Sequence, residues 1–207
     1  MKTTNVLQHF DINPHVIRQL GDELVSDSVT ALTELIKNSY DADADVINVT
    51  IDTEGVCPID DLKYPKHKGY IIVDDDGFGM TQKIIEKSWL IISYSMKRAK
   101  DGEPKPKTPK GRTPLGEKGL GRLSTQRLAD CCEMFTQMEG KQGLHVAFNW
   151  RDFDNVEKLG DVHVEVTPST MSRRCGTRLV LTNLRDIHTW NSSNIERIKA
   201  NLCQMIS

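Results

Sequence analysis

Glu34 and Asn38 lie four residues apart in the stretch TELIKNSYDADA, residues 33–44, and at helical spacing both project from one face. A carboxylate and an amide oxygen so placed, with Asp41 at the end of the stretch, can form an acid–base group beside a hydrated Mg²⁺ site. Mg²⁺ keeps several of its waters, so one Asn oxygen plus ligand phosphates is a sufficient ligand set. An ordinary polar helix face would show the same pair, and the stretch alone leaves both readings open.

Three glycine-containing sites follow. Asp75-Asp76-Gly77-Phe78-Gly79 comes directly after the apolar run Tyr70–Val73. Glycines there let the backbone turn sharply against a flat ligand, and a carboxylate at a strand end can accept from an exocyclic amine. An acidic turn uses the same residue types. Gly116-x-x-Gly119-x-Gly121 opens onto a helical pattern and has Lys118 between its glycines. Unpaired N–H groups at a helix start suit phosphate oxygens. The segment before it is rich in Pro and Lys, which excludes a dinucleotide-binding fingerprint, and no Gly-Lys-Ser/Thr follows, which excludes a Walker loop. Gly176-Thr177 precedes the strand-like TRLVLTN. A threonine hydroxyl there can bridge to a base or to Asp75, or can simply belong to a β-favouring residue.

The elements that must carry these residues are legible in outline. His9–Ile12 is expected as a short strand, and Pro14 opens a helix to Leu20 that Gly21 interrupts. Val29, Leu32 and Ile36 give the Glu34 helix its apolar stripe, and the DADAD run ends it. Val46–Ile51 reads as a strand, Thr53–Gly69 as a surface connection, and Tyr70–Val73 as a buried strand. Thr81–Ile92 is helical, with Ile84, Ile85, Trp89 and Ile92 on one side. Ser93–Gly116 is a long basic, proline-bearing loop, and a loop of that length in a compact domain is usually functional or disordered. A helix over Arg122–Ala129 is followed by strands at Cys132–Met138, Leu144–Trp150, Val162–Thr167 and Thr177–Thr182, with EGKQG as a hairpin turn. Asn191–Ile206 closes the chain as an amphipathic helix, with Ile195, Ile198, Leu202 and Met205 on one stripe.

At 207 residues, with 38% hydrophobic and 27% charged, the chain can bury one substantial core and is not generally disordered. A net charge of −2 gives no reason to expect a nucleic-acid or acidic-membrane partner. No apolar run is long enough to span a membrane, and MKTTNVLQHF lacks a signal-peptide core. Five cysteines without metal-ligand spacing read as reduced thiols of a cytoplasmic protein.

Taken together and in this order, Glu34/Asn38, Asp75/Gly77/Gly79, Gly116/Gly119/Gly121 and Gly176/Thr177 resemble the GHKL superfamily, and the resemblance covers about Leu20 to Leu181. Members include gyrase B subunits, MutL mismatch-repair proteins, 90-kDa heat-shock chaperones and histidine kinases. The resemblance implies an α/β sandwich, with one mixed, largely antiparallel sheet and helices over one face, binding ATP and Mg²⁺. Glu34 would activate water, and Asn38 would ligate Mg²⁺. Asp75 would accept from the adenine amine with Thr177 and a water, and Asp41 and Ala42 would line the base and ribose side. Gly77, Gly79 and Met80 would shape the floor, while Gly116, Lys118, Gly119, Leu120 and Gly121 would meet phosphate. Residues 93–121 become the ATP lid, and Ser95 and Lys97 match a Ser-Lys element of some members loosely, since Met96 separates them.

Glu34 favours the hydrolytic branch over the histidine kinases, which need no base for water and carry an upstream dimerisation hairpin. ELIKNSYDADA looks most like the chaperone-like and MORC-like ATPases. The resemblance implies slow hydrolysis driving lid closure and an ATP-dependent homodimer. Hydrolysing members take a γ-phosphate cation from a following domain, so the chain is expected to be the N-terminal part of a longer protein or a module that binds more than it turns over. A nucleotide-sensing module without turnover is the alternative from another class. A nucleic-acid arm at Lys105, Lys107 and Lys110 is the third.

Overall fold

The computed structural model describes residues 11–91, 106–116, 121–169 and 174–206. Its centre is a six-stranded sheet of β1 (Ile47–Val56), β2 (Lys68–Asp75), β3 (Ala129–Gln137), β4 (Leu144–Asn149), β5 (Glu165–Pro168) and β6 (Gly176–Leu184). The strands run in the order β1-β2-β6-β3-β4-β5, and every pairing is antiparallel. The architecture is the α/β sandwich expected from the sequence, with the expected mixed character resolved as wholly antiparallel among the described residues.

The helices are α1 (His15–Leu24), α2 (Ser28–Asp41), α3 (Gln82–Ile84, continuing into a π-turn over Ile85–Trp89), α4 (Leu123–Leu128) and α5 (Ser192–Ile206). α2 starts because the Asp27 carboxylate caps it, accepting from the Thr30 N–H at 2.8 Å. Val29, Leu32 and Ile36 are buried as the stripe requires, and burying each side chain stabilises by about 1.5–3 kcal/mol. With Leu123 and Leu128 of α4 and Ile198 of α5, they pack on Ile71, Val73, Cys132 and Leu181 of the sheet.

The two-residue period of the strands divides the sheet into faces with different tasks. The register aligns Ile71, Leu181 and Cys132 across three adjacent strands, then Val73, Leu179 and Met134, then Asp75, Thr177 and Thr136. The first row is core under the helices, and the last brings three polar residues together where β2 ends. On the other face, Tyr70, Ile72, Phe135 and Val180 are covered by Cys57, Ile59 and Leu62. The expected surface connection at Thr53–Gly69 is therefore corrected. β1 extends to Val56, and the segment after it supplies a lid for the second face, because the alternate residues of β2 are also apolar and must be covered.

Two further expectations change. α1 passes through Gly21 and ends at Leu24, because the glycine lacks a side chain where Gln126 packs against it. Asp11 and Ile12 form no strand, and His9 and Phe10 lie outside the described residues. Ile195 and Leu202 of α5 pack on the core as expected. Among the described residues no helix is long and apolar enough to cross a membrane. The described cysteines form no disulfide, and burial pushes the Cys131 thiol up to about 11, which makes that side chain unreactive.

Candidate functional site

A cavity of about 630 Å³ opens between α2 and the sheet, and its wall includes Val73, Leu179 and Met134 from the middle register row. That volume is in the range of small-molecule and cofactor sites. Leu24, Val25, Leu35, Ile84 and Trp89 add an apolar wall, which gives a flat ring a place to lose its water. Two polar groupings face the same space.

The first is built on Asp75, a buried residue at the end of β2. Its Oδ1 accepts the N–H groups of Gly77 at 3.0 Å and Thr177 at 3.1 Å, and its Oδ2 accepts the Ser39 hydroxyl at 2.8 Å. Three donors fix the carboxylate as an acceptor in the cavity wall. Thr177 thus meets Asp75 through its backbone, while its hydroxyl pairs with Thr136 Oγ1 at 2.9 Å. Thr136 also accepts the Met80 N–H at 2.9 Å and contacts the Gly176 carbonyl at 3.3 Å. Gly79 is fixed by space and by conformation. Its φ is +67°, and a Cβ there would collide with the Gln137 carbonyl. The Phe78 N–H donates to the Ala42 carbonyl at 3.0 Å, tying the turn to the end of α2.

The second grouping is built on Asn38 and Glu34, both lining the cavity one helical turn apart. Gly121 stands against the Asn38 amide so closely that a Cβ would overlap its Nδ2 and stand 3.2 Å from its Oδ1. Gly116 is also near, with its Cβ position 3.6 Å from that oxygen. The glycine segment and the Asn38 side chain therefore converge. Glu34 is held by Lys37, whose Nζ donates to Oε1 at 2.7 Å.

Asp41 and Ala42 line the cavity too. Both Asp41 oxygens accept backbone N–H groups from the end of the segment 106–116, Leu115 at 2.7 Å and Gly116 at 2.9 Å. Asp43, in the left-handed region at φ 59°, accepts Thr108 Oγ1 at 2.6 Å and the Lys110 N–H at 2.9 Å. Lys110 and Arg112 add ion pairs to Asp45 at 2.6 and 3.2 Å, and Arg112 lies over the Tyr40 ring. Exposed ion pairs are worth about 0–1 kcal/mol each, so the backbone bonds to buried Asp41 and Asp43, about 1.5–3 kcal/mol each, hold residues 106–116 against α2. Lys107 donates to Thr113 Oγ1 at 2.5 Å. Lys118, Gly119 and Leu120, with Ser95, Lys97 and Lys105, lie outside the described residues, as does most of the expected lid at 93–121.

The sequence reading missed Ser39, Thr136, Lys37, Arg122 and Ser124. Ser39 follows Asn38 directly and was open to notice, but the role of Thr136 exists only through strand register. α4 begins at Leu123, close to the expected start, but the N–H groups of Ser124 and Thr125 donate to the Gly121 and Arg122 carbonyls at 3.1 Å. Those two amides are spent inside the turn.

The donor set fits an adenine nucleotide and a hard cation. A fixed acceptor stands in one wall, a glycine contact that a side chain would close stands against Asn38, and the buried Ser124 hydroxyl in the cavity wall has no partner among the described residues. Among the described residues no cluster of three His, Cys, Asp or Glu side chains could hold an ion, so a cation here would use the Asn38 oxygen, phosphate and water. The family model described as histidine kinase-, DNA gyrase B- and HSP90-like ATPase matches residues 25–199. No curated protein matches the chain.

Proposed function

The chain belongs to the histidine kinase-, DNA gyrase B- and HSP90-like ATPase family, and from that premise we propose that it binds Mg·ATP in the cavity between α2 and the sheet and hydrolyses it slowly. Membership supports ATP binding in general. The observation that carries the assignment to this cavity is the convergence of the Asp75–Thr177–Thr136 row and the Asn38–Gly121 contact on one space. Asp75 accepts from the adenine amine, and the apolar wall encloses the ring. Asn38 and the glycine segment hold the phosphate end, where Mg²⁺ neutralises phosphate charge when bound. Glu34 takes the proton of the attacking water. Asp41 and Asp43 anchor the returning end of the lid, so lid position reports occupancy, and ATP drives closure and association of two copies in the chaperone-like or MORC-like manner.

One observation favours a second reading, a nucleotide-sensing module without turnover. Lys37 donates to Glu34 Oε1 at 2.7 Å, so one of the two oxygens of the candidate base is already occupied by an ion pair. Glu34→Ala separates the two. ATP affinity should stay within about twofold while phosphate release falls roughly 10²–10⁴-fold, measured by titration and by a phosphate assay on the same preparation. Release that is equal in both proteins, at the level of buffer alone, assigns the chain to sensing.

A further inference from the structure

Two polar atoms of the cavity-lining residues remain unengaged once the protein's own hydrogen bonds are made. The Ser124 hydroxyl on α4 is fully buried and has no partner among the described residues. Folded proteins rarely leave such a group without a ligand or an ordered water. On α2, Lys37 holds Oε1 of Glu34 at 2.7 Å, and Oε2 has no partner among the described residues.

The course of α4 brings these two side chains to neighbouring stretches. The helix follows Gly121, which abuts the Asn38 amide, and by Gln126 it has reached Gly21 of α1, where the Gln126 side chain fills the space a Cβ would take. α1 leads into the N-terminal half of α2, so α4 runs from the Asn38 end of α2 back toward Glu34, one helical turn earlier. The other hydroxyls that line this part of the cavity are engaged. Thr125 bonds the Arg122 carbonyl at 2.7 Å and accepts Trp150 Nε1 at 3.0 Å, and Thr30 accepts the Ser26 hydroxyl at 3.3 Å.

We propose that Ser124 and Glu34 hold the attacking water between them. The hydrolysis proposed for this cavity is the premise, and Ser124 adds a second fixed point. A water bound to a carboxylate alone can swing about that one bond, whereas two bonds set the direction of its lone pairs. The water donates one hydrogen to Glu34 Oε2 and the other to Ser124 Oγ, which leaves a lone pair to the γ-phosphorus. As the water oxygen bonds to that phosphorus, the bond to the β,γ-bridging oxygen breaks. ADP keeps the electron pair, and Glu34 Oε2 takes the proton.

The test compares the 207-residue chain with Ser124→Ala and Glu34→Ala, measuring kcat and KM for phosphate release from Mg·ATP, ATP affinity by calorimetry, and Tm. Ser124→Ala should lower kcat roughly tenfold while KM and ATP affinity stay within about twofold. Its Tm should not fall, because no described protein bond is lost and alanine favours a helix. A kcat within about threefold of the parent overturns the proposal. So does a loss of ATP affinity as large as the loss of rate, which marks a nucleotide contact, and so does a lowered Tm, which marks a packing role. If the parent chain releases no more phosphate than Glu34→Ala, the hydrolysis reading itself fails and this inference fails with it.

Discussion

Asp75 and Glu133 are both buried carboxylates on the central sheet, and each accepts from backbone N–H groups and from a side chain. Asp75 takes Ser39, Gly77 and Thr177. Glu133 takes the Lys63 N–H at 2.9 Å, the Tyr64 N–H at 3.0 Å and the His145 ring at 2.7 Å. Their surroundings differ. Asp75 lines a cavity beside glycines that leave room against it, while Glu133, on the opposite face, closes the segment after β1 onto the strands, with His145 stacked on Phe135. A buried carboxylate therefore does not mark a site by itself. The same chemistry serves as a clasp at Glu133, whereas Asp75 stands in the wall of the cavity where we propose that the nucleotide binds.

That contrast can be broken by substitution. Glu133→Ala leaves two backbone donors without their acceptor and should cost about 2 kcal/mol, read as a fall in Tm of roughly 4–8 °C, with ATP affinity within about twofold of the parent. A large loss of ATP affinity in the folded variant would mean the two faces are not separate in function. A smaller effect sharpens the picture at the rim. Asp76 is exposed, and the Val46 N–H, then that of Asp45, hold its carboxyl below the ordinary value in the folded chain. A carboxyl depressed by folding contributes stability that is fully present above the unfolded value and is lost as pH falls through the folded one. Asp76→Asn should therefore flatten the acid limb of Tm against pH by at most about 2 °C and leave Tm near neutral pH changed by a similar small amount.

The difference between the faces also explains what the sequence disclosed. The helix bearing Glu34 and Asn38 and the strand ending at Asp75 were legible because each follows from local periodicity and capping. Glycines at 77, 79, 116, 121 and 176 marked close approaches, and the structure supplies the neighbours. Thr136 was not legible, since its place beside Thr177 depends on the pairing of β3 with β6, forty-one residues apart. The Thr177 hydroxyl was open to a base, to Asp75 or to no site role, and the structure shows the backbone N–H donating to Asp75, because antiparallel pairing sets the two residues opposite each other. Thr53–Gly69 was read as a surface connection because of its prolines and charges, yet Cys57, Ile59 and Leu62 pack on the sheet and the Lys63 and Tyr64 N–H groups bond Glu133. Asp43 lay inside a run taken as a helix stop, although it anchors residues 106–116 through Thr108 and Lys110.

The most direct test of the central claim is calorimetric titration of Mg·ATP into the parent chain and into Asp75→Asn. The substitution keeps the size of the side chain and removes its charge and one acceptor oxygen at the point where we propose that the adenine amine is held. The account predicts a folded Asp75→Asn protein whose ATP affinity has fallen about a hundredfold or more. ATP binding of unchanged affinity in that folded variant would contradict it.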